Sequence, residues 1–170
     1  MMSEALSTND INTMLRHITM FAGTFPSDIV PIQQRKYPQA FVINTAPNRT
    51  SGEHWTALIL TDSKCLYFDS LGCQIQNVSL LKSLKKVGVR YYKYNSCQIQ
   101  SVLSSSCGYY CIAFVMSFVS NSSYSNFMSK FVTDLKQNDD ICYKFIKTIL
   151  NKQYWATIVS LVLVYQSCFD

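Results

Sequence analysis

The sequence predicts a single α+β domain, and three observations predict it. Two short segments rich in β-branched and aromatic residues, "HWTALIL" and "KCLYFDS", flank the turn "TDS" and read as a hairpin. The apolar run "CGYYCIAFVMSFVS" is long enough for a buried helix beginning at or near Cys107. Helical spacing of apolar residues recurs on both sides of these segments, and no repeat, low-complexity tract or linker divides residues 1–170.

Taken in order, residues 3–22 read as an amphipathic helix. Ser7, Thr8 and Asn9 are candidate caps, and Ile11, Met14, Leu15 and Ile18 lie at helical spacing. "GTFPSDIVP" is a loop by its Gly and Pro content, closing near Pro31. "QAFVINTA", Gln39 to Ala46, is a short buried strand, and "PNRTSGE" is a turn before the hairpin. After the hairpin, "NVSLLKSLKKVG" places Val78, Leu81 and Leu84 at helical spacing, with Gly88 as the stop. "VRYYKYN" reads as a strand, "SCQIQSVLSSS" as a polar loop, and residues 124–152 as helical. The ending at 154–168 contains "WATIVSLVLVY", which falls short of the ~20 residues a spanning helix needs and reads as a buried strand or helix.

A hydrophobic fraction of 48% with 15% charged residues argues against a disordered chain. The formal net charge of +5 favours a polyanion or acidic surface only mildly. The first thirty residues are polar and lack an apolar h-region, so no secretory signal is expected and the thiols should be reduced. Seven cysteines, an odd count with no C-x2-C pair and two histidines, predict neither a secreted disulfide framework nor a structural zinc site. At least one of them is free to serve as a reactive thiol.

Cysteine attacks carbonyls as the thiolate, which must be favoured over a thiol of pKa ~8.5 by an imidazolium, a helix N-terminus and partial solvent access. Cys107 follows a Ser-rich loop and opens the apolar helix, where backbone N–H groups could hold an oxyanion, and Gly108 would let a substrate backbone come close. The alternative for Cys107 is a buried thiol at a helix start. Of the two histidines, His17 lies in the amphipathic helix beside Arg16 and reads as a surface or packing residue; His54 lies at a loop edge before a strand. A catalytic histidine needs an acid or amide to orient it. Asp69 ends the strand that pairs with the strand after His54, so antiparallel pairing across a short turn returns it to the same edge.

"NTAPNRTSGEHW", "LYFDSLG" and "QSVLSSSCGYYC" together resemble the adenovirus maturation protease (adenain) family, of the same broad clan as the SUMO- and ubiquitin-like-protein proteases. The resemblance implies a central mixed β-sheet with a buried central helix starting at the nucleophilic cysteine and further helices packed around it. It implies His54 as base, with Trp55 beside it, Asp69 as the acid, and Cys107 with Gly108 as the nucleophile pair. Gln100, seven residues before Cys107, is the implied oxyanion donor, with Gln98 as the runner-up. Trp55 is expected to wall a narrow substrate slot.

The implied function is a viral cysteine endopeptidase that cleaves capsid and core precursor proteins after Gly-Gly or Gly-X pairs, acting as a monomer in the host nucleus and virion, with no membrane. Nothing in the sequence requires a cofactor. The family is activated by a viral peptide linked through a disulfide and by viral DNA. The position equivalent to the linking cysteine falls near Val89 or Arg90, neither a cysteine, and a DNA contact would rest on Lys82, Lys85, Lys86 and Arg90, which also read as a solvated helix face. The rival readings are a deubiquitinase or SUMO-type isopeptidase, an inactive binding module of the same fold, and a DNA-binding protein with incidental cysteines.

Overall fold

A computed structural model of the chain describes residues 5–34, 36–120 and 123–149. Its elements run α1 (Thr8–Leu15), β1 (Phe21–Pro26), β2 (Gln39–Asn44), β3 (Trp55–Leu60), β4 (Cys65–Phe68), α2 (Val78–Lys86), α3 (Cys107–Val119) and α4 (Tyr124–Met128). A further helix, α5, covers 135–149. The four strands form one mixed sheet in the order β1-β2-β3-β4. β1 runs parallel to β2, and the other two pairings are antiparallel. This is the α+β architecture that the sequence predicts. No described helix is long and apolar enough to cross a membrane.

Strand residues alternate between faces, so a sheet buried on both sides needs apolar residues at every position. β2 and β4 are buried throughout, and β3 at all positions but its first. Ala40, Val42, Ala57, Ile59, Leu66 and Phe68 face one core, shared with α3. Phe41, Ile43, Leu58, Leu60 and Tyr67 face the other, closed by Leu80 and Leu84 of α2. α3 is apolar nearly all round, as a helix surrounded by protein must be. Phe114 of α3 stacks on Phe68 with ring centroids 4.9 Å apart and tilts against Phe127 at 5.6 Å. Phe114→Ala should therefore cost ~3–5 kcal/mol in urea denaturation, because this ring sits where three elements meet and its cavity cannot collapse easily.

Three expectations need correction. The first helix is much shorter than 3–22. Ser7 starts it with a capping box, its hydroxyl accepting from the Asp10 N–H while the Asp10 carboxylate accepts from the Ser7 N–H. It ends by Leu15, and the "GTFP" read as loop belongs to β1. Gly23 and Pro26 fit that strand because it lies at the sheet edge: Gly23, at φ +129°, sits at a register shift, and Pro26 ends the strand. The strand expected at "VRYYKYN" is reduced to a single parallel bridge, Leu66 to Lys93, on the free side of β4. The hairpin, α2 with Gly88 at φ +89° beyond it, and α3 beginning at Cys107 agree with the sequence reading. The expected helical tail is α4 and α5, and residues 154–168 lie outside the described residues.

Candidate active site

The β3–β4 register, with Ala57 opposite Phe68, places Asp69 across from Thr56 when continued by one step. Residues 54 and 56 share a face, so the side chains of His54 and Asp69 meet diagonally at the strand ends. His54 Nε2 lies 2.7 Å from Asp69 Oδ1. Asp69 Oδ1 also accepts from the Leu71 N–H at 2.8 Å, which fixes the carboxylate independently of the histidine. Behind it, the buried Asn95 clamps the Asp69 backbone from both sides: Oδ1 accepts from the Asp69 N–H, and Nδ2 donates to the Asp69 carbonyl.

Cys107 is the first residue of α3, lines the same cleft as His54, and interacts with it electrostatically. Since Nε2 faces Asp69, Nδ1 is the nitrogen left for the sulfur. Burial pulls the His54 pKa down, but the hydrogen bonds and negative charge of Asp69 and Cys107 outweigh it and raise it from 6.5 to about 9. The imidazolium is thus the favoured form at neutral pH, the state that stabilises a thiolate. The other described cysteines have a different character. Burial pushes Cys65 up to about 12 and Cys111 and Cys142 well above the ordinary thiol, while Cys73 and Cys97 are exposed.

Gln100 is buried, yet it lines the same cleft as His54, Trp55 and Cys107, a depression of about 760 Å³. Its Nε2 donates to the Ser104 carbonyl at 2.8 Å, and its Oε1 accepts from the Ser70 hydroxyl at 2.6 Å. Gln98, the runner-up, is exposed and donates to the Gln100 carbonyl. The Ser104 hydroxyl is held in turn by Asp139 of α5 at 2.6 Å, and Asp139 also accepts from the Tyr110 hydroxyl of α3.

The remaining candidates fall as follows. Trp55 lines the cleft, and its indole N–H donates to the Leu6 carbonyl at 2.9 Å, tying the segment ahead of α1 to the cleft wall. Gly108 does not face the cleft as expected. It is buried, and a Cβ there would meet Leu6 Cβ at 3.1 Å, so the missing side chain makes room for Leu6 rather than for substrate. His17 is exposed and hydrogen-bonds Arg16, outside the site. Lys82, Lys85, Lys86 and Arg90 are exposed on and just after α2, and none lines the cleft. Ser70, Asn95 and Asn44 escaped the sequence reading; the Asn44 Oδ1 accepts from the Ala46 and Glu53 N–H groups and shapes the loop leading into His54. Asn44 ends the apolar strand and precedes a turn, but only the contacts it makes distinguish such a residue from ordinary polar positions at a strand end.

The family model described as adenovirus endoprotease matches residues 19–152. The protease of bovine adenovirus 4 is 26% identical over 158 residues, covering 76% of this chain and 79% of the relative. That of bovine adenovirus 7 is 26% identical over 165 residues, covering 75% and 77%. In three dimensions the chain is similar to the ASFV pS273R protease, with a TM-score of 0.55 at 19% identity over 84% of this chain and 66% of that one. That likeness bears on the fold, and the chain spans about two thirds of the pS273R protease. The chain belongs to the adenovirus endoprotease family, whose members are viral proteases.

Proposed function

We propose that this chain is a cysteine endopeptidase acting through Cys107, His54 and Asp69. The observation that carries the proposal is one imidazole bonded to Asp69 and lining the same open cleft as Cys107, which heads α3. In the first step the Cys107 thiolate adds to the scissile carbonyl carbon, and the oxyanion is held by the Cys107 N–H and Gln100 Nε2. Protonated His54 then gives its proton to the leaving amine as the C–N bond breaks, leaving a thioester. Water, deprotonated by neutral His54, attacks the thioester carbonyl; the acid product leaves as the C–S bond breaks, and the thiolate–imidazolium pair is restored. Asp69 keeps Nε2 protonated and Nδ1 directed at the sulfur throughout.

The substrates are viral capsid and core precursor proteins cut after Gly-Gly or Gly-X pairs during virion maturation, in the nucleus and the assembling particle. Trp55 on the cleft wall supports a slot for residues without a β-carbon. DNA and a viral peptide are activators in the same reading, DNA contacting the exposed Lys82, Lys85, Lys86 and Arg90. The test is cleavage of a panel of peptides carrying Gly-Gly, Gly-Ala and Ala-Ala at the scissile position, alongside ubiquitin- and SUMO-derived substrates, with and without DNA. Preference for the short Gly-Gly peptides supports the proposal. Cleavage confined to the folded ubiquitin-like substrates would replace it with isopeptidase function, and no cleavage under any condition would leave a binding module.

The pH dependence follows from His54. Its charged form is needed to protonate the leaving amine, so kcat/KM should fall as pH rises through about 9. The same shift bears on stability. A histidine raised from 6.5 to about 9 on folding contributes stability that is fully present below pH 6.5 and lost as pH rises through about 9. Denaturation midpoints across that window should decline in the native chain and flatten in His54→Ala.

A further inference from the structure

We infer that Ser70 is a positioning residue for the oxyanion donor, resting on the reading of Gln100 as that donor. A primary amide helps an oxyanion only if its nitrogen faces the developing charge; turned the other way, its oxygen repels it. The Gln100 amide is therefore useful only when its orientation is held.

Two contacts hold it. The Ser104 carbonyl can only accept, so Nε2 must lie on its side. The Ser70 hydroxyl then donates to Oε1 at 2.6 Å from the opposite side. One Nε2 hydrogen goes to Ser104 and the second is left for the cleft that Gln100 lines. Ser70 also grips the backbone here: its carbonyl accepts from the Ile99 N–H at 2.9 Å and the Gln100 N–H at 3.1 Å. Ser70 is wholly buried, so water cannot replace its hydroxyl. It directly follows Asp69, so consecutive residues of one turn orient the histidine and the oxyanion donor. Without the hydroxyl, Oε1 has no donor among the described residues, and the amide rotates toward water in the cleft.

The test compares two reactions of the same thiol. Hydrolysis of a Gly-Gly peptide passes through an oxyanion; alkylation of Cys107 by iodoacetamide does not. Ser70→Ala should lower kcat roughly 10- to 100-fold with KM little changed, a smaller loss than the ~10²–10³-fold of Gln100→Ala. It should leave the rate and pH dependence of Cys107 alkylation, followed by peptide mapping, as in the native chain. The Ser70→Ala/Gln100→Ala double variant should be no slower than Gln100→Ala alone, since the hydroxyl acts only through that amide. Ser70→Cys, of similar volume with a poorer donor, should fall between, and it carries the test if the alanine variant does not fold. Slowed alkylation, or losses that add in the double variant, would overturn the inference and assign Ser70 to the general support of Asp69 or the fold. A Gln100→Ala enzyme with unchanged kcat would instead remove the oxyanion-donor reading itself, a result separable from any effect at Ser70.

Discussion

Cys107→Ala should abolish peptide hydrolysis, with a loss on the order of 10⁶ in kcat, the scale seen when a covalent nucleophile is removed from a catalytic triad. The methyl group cannot attack, and the remaining groups act only on whatever water reaches the carbonyl. The loss should be confined to chemistry. Cys107 is partly exposed at the start of α3, so truncating it leaves no closed cavity in the core. A Gly-Gly peptide should therefore still bind the variant, and calorimetric titration would show it. Measurable turnover at the native pH optimum would mean that another group performs the attack. The exposed Cys73 and Cys97 do not line the cleft, so a residual thiol reaction could not be assigned to them without a rearrangement.

The second large effect is at Asp69, where two substitutions separate charge from shape. Asp69→Asn keeps an oxygen that can accept from both His54 Nε2 and the Leu71 N–H, so the imidazole stays in place while the negative charge is lost. Asp69 is the leading cause of the upward shift of His54, by its hydrogen bond and its charge. The alkaline limb of kcat/KM should consequently move below pH 9, and activity at pH 7.5 should drop by roughly 10²–10⁴, the span of general acid–base contributions. Asp69→Ala removes the acceptor as well and leaves the His54 and Leu71 donors without it. It should cost at least as much activity and should also lower the urea midpoint. An asparagine variant with an unshifted alkaline limb would show that the limb reports a group other than His54.

The sequence was most legible where function rests on residue type and local pairing. Only two histidines exist, and His54 and Asp69 close the ends of one hairpin, so a short turn sufficed to bring them together. Cys107 was legible because a polar Ser-rich loop gives way abruptly to an apolar helix. Gln100 was not separable from Gln98 by chemistry, since both lie in one polar loop; the resemblance ranked them, and the contacts to Ser70 and Ser104 now distinguish them. Ser70 and Asn95 could not be found at all from the sequence. Their partners lie 30 and 26 residues away, and a serine or asparagine in a turn has many ordinary local uses. Gly23, Pro26 and Gly108 misled for a related reason. Glycine and proline signal an unusual backbone, and whether the cause is a loop, an edge strand or a neighbour pressing close is a tertiary fact.

The tie between Trp55 and Leu6, with Leu6 lying over Gly108, bears on the order in which the site is completed as the chain is made. A chain made from its amino end completes the His54–Asp69 hairpin early, when that pair has no thiol to act with. Cys107 emerges later, at the head of a helix so apolar that it needs the finished sheet to cover it. Leu6, made long before it, then lies over Gly108 at the head of that helix. In the proposed reading, the thiol therefore meets its histidine only once the sheet is closed, and the cleft wall of Trp55 is pinned by Leu6, which lies over the head of that same helix.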